Sequence, residues 1–288
     1  MNTPDGHSHL SQSTVFVTGG SGGLASRILQ LFAERGCESS IHTASPKFDA
    51  PSPILCKVNI KGTRALLHFA QESGTQCFVY SSSASIISDA QTDLIHTDET
   101  FPVLLEQSQQ PEVYRWRASN PFLTCAIRPS GIFGVGDLVV LPGILDAYFL
   151  GQTRWQIGEN RNRLDFTENT NDDDDDKTKV DGEAFFITND ETRCFWDFTR
   201  LVWQFAWDTT RREQVWVIPR SWALGLDQPP LTGTRVRLSC MTRYFCIDTA
   251  KTRLGYRPVV RLEEGLKRAV KDCLSRRAAE DEGLKKRS

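Results

Sequence analysis

A glycine-rich run near the start of the chain restricts the available folds more than any other feature. The apolar stretch Val15-Phe16-Val17 leads into Thr18-Gly19-Gly20-Ser21-Gly22-Gly23-Leu24-Ala25. This composition suits a strand that turns directly into a helix. Gly19 allows the chain to reverse tightly, Gly22 allows a pyrophosphate to approach the backbone, and the small Ala25 allows the helix to pack closely on the strand. Free N–H groups at the start of such a helix bind phosphate. The run therefore predicts a dinucleotide-binding turn, and an ordinary strand-to-helix connection is the alternative.

Composition narrows the class of protein. A chain of 288 residues can bury one large core, or a core with an attached lobe. The 34 basic and 36 acidic residues nearly cancel, so no nucleic-acid partner is expected. The eight cysteines contain no Cys-x-x-Cys pair and the N-terminus has no apolar signal segment, which predicts an intracellular protein without disulfides or metal. No apolar run is long enough for a membrane-spanning helix.

The order of apolar segments predicts alternating strands and helices. Residues 1–12 are polar and predict a flexible leader, and the aspartate run at 172–176 predicts a solvated loop over 169–179 without a function. Apolar spacing predicts a strand over 14–18, helices over 24–36 and 58–73, and strands over 77–80 and 124–129. Gly36 and Gly74 are the expected helix ends. Because ligands of parallel sheets gather at the carboxyl ends of the strands, we expect the site there.

Several segments resemble the extended short-chain dehydrogenases, and more closely the 3β-hydroxysteroid dehydrogenase family. In the first half they are Ile41-His42-Thr43-Ala44-Ser45-Pro46, Phe78-Val79-Tyr80-Ser81-Ser82-Ser83-Ala84-Ser85 and Ala126-Ile127-Arg128-Pro129-Ser130-Gly131-Ile132-Phe133-Gly134. Segments 156–160, 180–190, 195–198, 243–245, 254–258 and 262–265 are similar to its branch of decarboxylating sterol-4-carboxylate 3-dehydrogenases. The resemblance implies an α/β fold, with an abridged, doubly wound parallel sheet of the NAD(P)-binding Rossmann type over 13–135. A smaller substrate lobe would form most of 136–288.

The resemblance also implies roles for individual residues. The cofactor, NAD or NADP, would be bound by Gly19, Gly22, Ala25, Thr43, Ala44, Pro129 and Ile132. Ser83 would form a hydrogen bond with the 3-oxygen of the substrate, and Tyr114 would carry the proton. The alternatives are a serine-rich surface turn for Ser83, a loop aromatic for Tyr114, and core packing for Pro129 and Ile132.

The implied reaction is oxidation of a 3β-hydroxyl on a sterol or triterpenoid, with loss of a C4 carboxylate as CO₂. No metal is needed for it. The lobe suits a flat apolar substrate because it is rich in aromatic residues, which are also typical of a core: Trp155, Phe166, Phe185, Phe186, Trp196, Phe198, Trp203 and Trp207. A membrane-dissolved sterol implies work at the endoplasmic reticulum surface, with other enzymes of C-4 demethylation as partners. A triterpenoid of a secondary pathway would be compatible with a cytoplasmic location.

The chain departs from the family pattern in ways that leave a second function open. Between Gly36 and His42 there is no room for the second and third strands of the usual nucleotide-binding half, and the acidic residue that selects NAD over NADP is absent with them. Ala118 stands where the family has a lysine, four residues after Tyr114. These departures favour a non-catalytic or truncated relative as the alternative. A sugar-nucleotide epimerase shares the glycine turn and the serines, but the segments at 131–134 and 180–190 argue against it.

Overall fold

The computed structural model describes residues 15–18, 39–46, 51–104, 122–168, 180–226 and 233–285. The predicted leader, the predicted helix over 24–36 and the predicted acidic loop lie outside these ranges.

Thirteen strands and eight α-helices are described, and they are numbered here in chain order. The strands are β1 (Val15–Thr18), β2 (Ser39–His42), β3 (Cys77–Ser81), β4 (Leu94–Thr97), β5 (Leu123–Pro129), β6 (Gly131–Phe133), β7 (Trp155–Ile157), β8 (Arg163–Leu164), β9 (Phe166–Glu168), β10 (Glu183–Ile187), β11 (Arg193–Cys194), β12 (Trp216–Ile218) and β13 (Arg243–Phe245). The helices are α1 (Ser52–Leu55), α2 (Thr63–Glu72), α3 (Val140–Phe149), α4 (Phe195–Phe205), α5 (Arg220–Leu226), α6 (Gly233–Cys240), α7 (Asp248–Leu254) and α8 (Leu262–Lys285).

The main sheet has five parallel strands in the order β1-β2-β3-β5-β10. The strands predicted from apolar runs over 14–18, 77–80 and 124–129 are confirmed within one residue at each end, whereas β2 and β10 were not predicted. Within the described residues β1 has a neighbour on one side only, where a full nucleotide-binding half would add two further strands. The predicted α/β fold with an abridged parallel sheet is therefore confirmed.

The helix predicted over 58–73 begins earlier than expected. Helical backbone starts with α1, continues through a π-helical stretch at Cys56–Gly62 and ends with α2. Apolar spacing at a 3.6-residue period misses a π-helical stretch, because its repeat is longer. The end is as predicted, since Gly74 adopts a φ of 74°. Helix α2 then packs on the sheet through buried Leu67 and Ala70.

A second cluster of elements is built around aromatic side chains. Phe166 of β9 stacks on Phe198 of α4, with ring centroids 3.6 Å apart and planes 6° apart. Helices α3, α4 and α8 surround this pair. A small sheet of order β11-β8-β13-β4 lies beside it, and Phe245 of that sheet stacks on Phe186 of the main sheet at 4.6 Å. The aromatic residues thus join the lobe to the main sheet.

Most of the lobe aromatics that suggested an apolar substrate form the core instead. Phe185, Phe186 and Phe198 are fully buried, whereas Trp155 and Trp207 are 50% and 79% exposed. Within the described ranges, no helix is both long enough and apolar enough to cross a lipid bilayer.

Candidate functional site

The site begins where β3 leaves the main sheet. Ser82 continues the ladder, because its N–H donates to the Ile127 carbonyl at 2.8 Å. Ser83 is extended, with φ −148° and ψ 146°, and its hydroxyl oxygen accepts a hydrogen bond from the Ser85 N–H at 3.1 Å. A short 3₁₀ turn, Ala84–Ile87, follows. The backbone thus fixes the Ser83 oxygen and leaves its hydroxyl proton to donate to a ligand.

Ser83 lines a cavity of about 260 Å³ between the main sheet and the lobe. The cavity is bounded by the ends of β3 and β5, by β8, β9 and β13, and by the starts of α3 and α4. Its lining residues are Ser83, Ala84, Ser85, Ser130, Gly131, Val140, Leu164, Asp165, Phe166, Phe195, Arg243 and Phe245. A cavity with mostly apolar walls and a few polar groups is typical of a small-molecule site.

Hydrogen bonds between strand ends hold one wall of the cavity in place. The Ser130 hydroxyl donates to the Asp165 carbonyl at 2.7 Å, and the Ser130 N–H donates to the Thr167 hydroxyl at 3.1 Å. The Thr167 hydroxyl in turn donates to the Ile187 carbonyl at 2.6 Å. Gly131 packs closely on the Phe166 ring, since a Cβ at this position would lie 3.3 Å from the ring and would press on it.

Two ionisable side chains line the cavity, and sequence analysis singled out neither as a site residue. Asp165 accepts hydrogen bonds from the Phe245 N–H at 2.8 Å and the Thr192 hydroxyl at 2.7 Å. Burial nevertheless raises the pKa of its carboxyl group. Burial also lowers the pKa of the Arg243 guanidinium, whose Nε is buried without a hydrogen-bond partner. The available signal was a charged residue beside an aromatic one in each strand segment, Asp165-Phe166 and Arg243-Tyr244.

Of the predicted site residues in the described ranges, Ser83 lines this cavity and four others do not. Thr43 and Ala44 are half-buried just after β2, at the same edge of the sheet as Ser83. Pro129 is buried at the end of β5, and half-buried Ile132 lies opposite Thr167 in the β6–β9 pair. Gly19, Gly22, Ala25 and Tyr114 lie outside the described residues.

The described part of this edge fits a dinucleotide. The carboxyl ends of β1, β2 and β3 are neighbours, because Thr18 lies opposite His42 and His42 opposite Tyr80. The residues that follow β2 and β3 include Thr43, Ala44 and Ser82, which have short, uncharged side chains. Short side chains leave the backbone accessible, and none of the three would repel a pyrophosphate.

Comparisons with known proteins agree with this arrangement. The profile of the 3-beta hydroxysteroid dehydrogenase/isomerase family matches residues 32–220. The sterol-4-alpha-carboxylate 3-dehydrogenase, decarboxylating, of Saccharomyces cerevisiae is 35% identical, and the match covers 85% of this chain and 77% of the yeast protein. The Homo sapiens protein of the same name is 28% identical, and the match covers 86% of this chain and 75% of the human protein.

Solved structures show the same fold at low sequence identity. UDP-glucose 4-epimerase of Thermotoga maritima superposes with a TM-score of 0.70 at 17% identity, covering 91% of this chain and 98% of the epimerase. The Bordetella bronchiseptica enzyme WbmH, solved with NAD⁺, superposes with a TM-score of 0.70 at 13% identity, covering 92% of this chain and 99% of WbmH. These likenesses show that the chain shares the α/β fold of these enzymes.

Proposed function

The chain belongs to the 3-beta hydroxysteroid dehydrogenase/isomerase family, and from this we propose that it oxidises the 3β-hydroxyl of a 4-carboxysterol or a related triterpenoid. The C4 carboxylate is then lost as CO₂, which makes the reaction the oxidative step of C-4 demethylation. The relatives named as decarboxylating sterol-4-alpha-carboxylate 3-dehydrogenases support this substrate class. NAD or NADP, when bound, supplies the hydride acceptor.

The observation that carries the proposal is the position of Ser83 in the cavity between the sheet and the lobe. Its oxygen is held by the Ser85 N–H, so its hydroxyl proton can donate to the C3 oxygen of the substrate. We assign Tyr114 the role of accepting the C3 hydroxyl proton as the alcohol becomes a ketone. We assign Thr43, Ala44, Pro129 and Ile132, together with the glycine turn, to the binding of the coenzyme.

Decarboxylation follows from the product of the oxidation. A C3 ketone next to a C4 carboxylate is a β-keto acid, and breaking the C4–carboxylate bond releases CO₂ while the electron pair moves into the C3 carbonyl as an enolate. Protonation at C4 completes the reaction. Ser83 donates to the same oxygen on which that negative charge develops, so one hydroxyl serves both steps.

The two parts of the chain divide these tasks in our proposal. Residues 13–135 bind the coenzyme, and residues 136–288 form most of the substrate lobe, although β10 of the second part completes the main sheet. Because sterols are dissolved in membranes, we also propose that the protein works at the endoplasmic reticulum surface, beside other enzymes of C-4 demethylation.

The test is coenzyme reduction by the purified chain with a 4α-carboxy-3β-hydroxysterol, with UDP-glucose as the competing substrate class. We expect reduction of NAD⁺ or NADP⁺ with the sterol and none with the sugar nucleotide. Ser83→Ala should lower kcat by about 10² or more, because a hydrogen bond made to the developing charge is lost. Ser88→Ala is the matched control, since Ser88 ends the same short turn outside the cavity lining. Coenzyme binding without any turnover would instead identify a non-catalytic relative.

A further inference from the structure

Arg243 lines the cavity, and no other side chain in the described part of the chain forms an ion pair with it. It lies in the middle of the small sheet, where β13 pairs with β4 at Leu94 and with β8 at Leu164. Its Nε is buried and has no hydrogen-bond partner, and within the described residues its guanidinium forms no ion pair. Other arginines do find carboxylates: Arg276 contacts Asp272 at 2.9 Å, and Arg277 contacts Asp146 at 2.8 Å.

The acidic side chain that shares the cavity does not neutralise Arg243. Within the described residues no ion pair joins the two side chains, and the oxygens of Asp165 instead accept from the Phe245 N–H and the Thr192 hydroxyl. A guanidinium whose Nε is cut off from both water and protein acceptors lowers stability, since the hydration of that nitrogen is not replaced. A residue kept at such a cost is a candidate for ligand binding.

We propose that Arg243 binds the C4 carboxylate of the substrate, an inference that rests on the proposed function. A 3-hydroxy-4-carboxy group presents a neutral oxygen and an anion on adjacent carbons, and the cavity offers a hydroxyl, Ser83, and a guanidinium, Arg243. The planar guanidinium can donate two parallel hydrogen bonds to one carboxylate. This pairing increases the affinity for the substrate and fixes the orientation of the sterol ring that carries the carboxylate.

This contact selects the substrate and leaves bond cleavage to the C3 ketone. An ion pair stabilises the carboxylate in the ground state, so it lowers KM without accelerating loss of CO₂. Loss of CO₂ removes the anion, and the ketone product therefore leaves a site whose cation has no partner again. The proposed contact therefore predicts a preference for a 4-carboxysterol over a 3β-hydroxysterol that is unsubstituted at C4.

The test compares Arg243→Met with the wild-type protein on two ligands, a 4α-carboxy-3β-hydroxysterol and the same sterol without the carboxyl group. We expect KM for the carboxysterol to rise roughly 10- to 100-fold, the range for a hydrogen bond to a charged group. KM for the unsubstituted sterol should change by less than about twofold, because it makes no contact with the cation. Arg243→Lys should restore part of the difference.

Binding measured without turnover separates this inference from the proposed function. Quenching of tryptophan fluorescence by each sterol, with coenzyme absent, should show the same loss of carboxysterol affinity in Arg243→Met. Arg163→Met is the matched control, because Arg163 is exposed on β8 of the same sheet and does not line the cavity. The melting temperature of ligand-free Arg243→Met should equal or exceed that of the wild type, since an unpaired cation has been removed.

The possible results distinguish the role of Arg243 from the proposed function. Equal weakening of both sterols, or unchanged carboxysterol affinity, would overturn the role of Arg243. If the wild type binds the carboxysterol but does not oxidise it, the proposed function fails, and the affinity comparison still decides Arg243. If the wild type binds neither sterol, both claims are wrong.

Discussion

Gly265 lies where the long helix α8 packs closely against β9, the strand beside the cavity. A Cβ added there would lie 2.5 Å from Cγ of Glu168, 3.0 Å from its Cδ and 3.1 Å from its Oε1. Glu168 cannot easily move away, because it is 9% exposed and its N–H donates to Oδ1 of Asn189 at 2.5 Å. We therefore expect Gly265→Ala to destabilise the packing of α8 on β9.

The magnitude follows from two opposing effects. The shortest distance falls about 0.9 Å below the 3.4 Å at which ordinary contact begins, and overpacking of this kind costs about 1–3 kcal/mol. Replacing glycine by alanine within a helix raises the free energy of unfolding by about 0.5–1 kcal/mol. The net loss in the free energy of unfolding should be about 0.5–2 kcal/mol. Gly143→Ala in α3 is the matched control, because no atom lies within 4 Å of its added Cβ.

The assay is urea and thermal unfolding of the two variants beside the wild type. Gly143→Ala should be more stable than the wild type by about 0.5–1 kcal/mol, and Gly265→Ala less stable. In a protein of this size each kcal/mol shifts the melting temperature by about 2–4 °C. If Gly265→Ala is as stable as Gly143→Ala, the close approach of α8 to Glu168 is not what requires glycine, and the reasoning is refuted.

Three further perturbations test other parts of the structure. Phe198→Ala should lower the free energy of unfolding by about 3–5 kcal/mol, because Phe198 is fully buried and stacked on Phe166; a loss below 1 kcal/mol in urea unfolding would contradict this packing. Burial raises the pKa of Asp165, so its stabilising contribution is present below the ordinary pKa and is lost as pH rises through the raised value. Asp165→Asn should therefore gain stability relative to the wild type as the pH rises above the ordinary carboxyl pKa, because only the wild type then has to ionise a buried carboxyl group; a difference in the free energy of unfolding that does not change with pH would contradict this burial effect. Burial also raises the pKa of Cys125 to about 11, whereas Cys56 is exposed; thiol labelling followed by peptide mass analysis should modify Cys56 first, and equal rates would contradict the burial.

Three strands of the main sheet, β1, β3 and β5, were predictable from sequence because each contains a short apolar run. Cys77-Phe78-Val79-Tyr80 is such a run. The serines that follow it lie at the carboxyl end of a parallel strand, where ligands of such sheets bind. The strands β2 and β10 were not predicted, and β2 (Ser39–His42) has only one apolar residue. The lobe was less predictable, because β8, β11 and β13 are two or three residues long and too short to show an alternating pattern.

The roles of individual cavity residues were likewise only partly predictable from the sequence. Ser83 could be singled out because its segment matches the family and directly follows a strand. Arg243 could not be assigned a role, because its importance depends on burial and on the direction in which the oxygens of Asp165 point. Those properties arise when segments 78 residues apart in the chain pack together, and no local pattern encodes them.

The most direct test of the central claim is the stoichiometry of the reaction. The purified chain would be supplied with a 4α-carboxy-3β-hydroxysterol labelled in its carboxyl carbon, together with NAD⁺ or NADP⁺, and both reduced coenzyme and labelled CO₂ would be measured. The account predicts equal amounts of the two products. Reduced coenzyme without CO₂, or no reduction although the sterol binds, would contradict it.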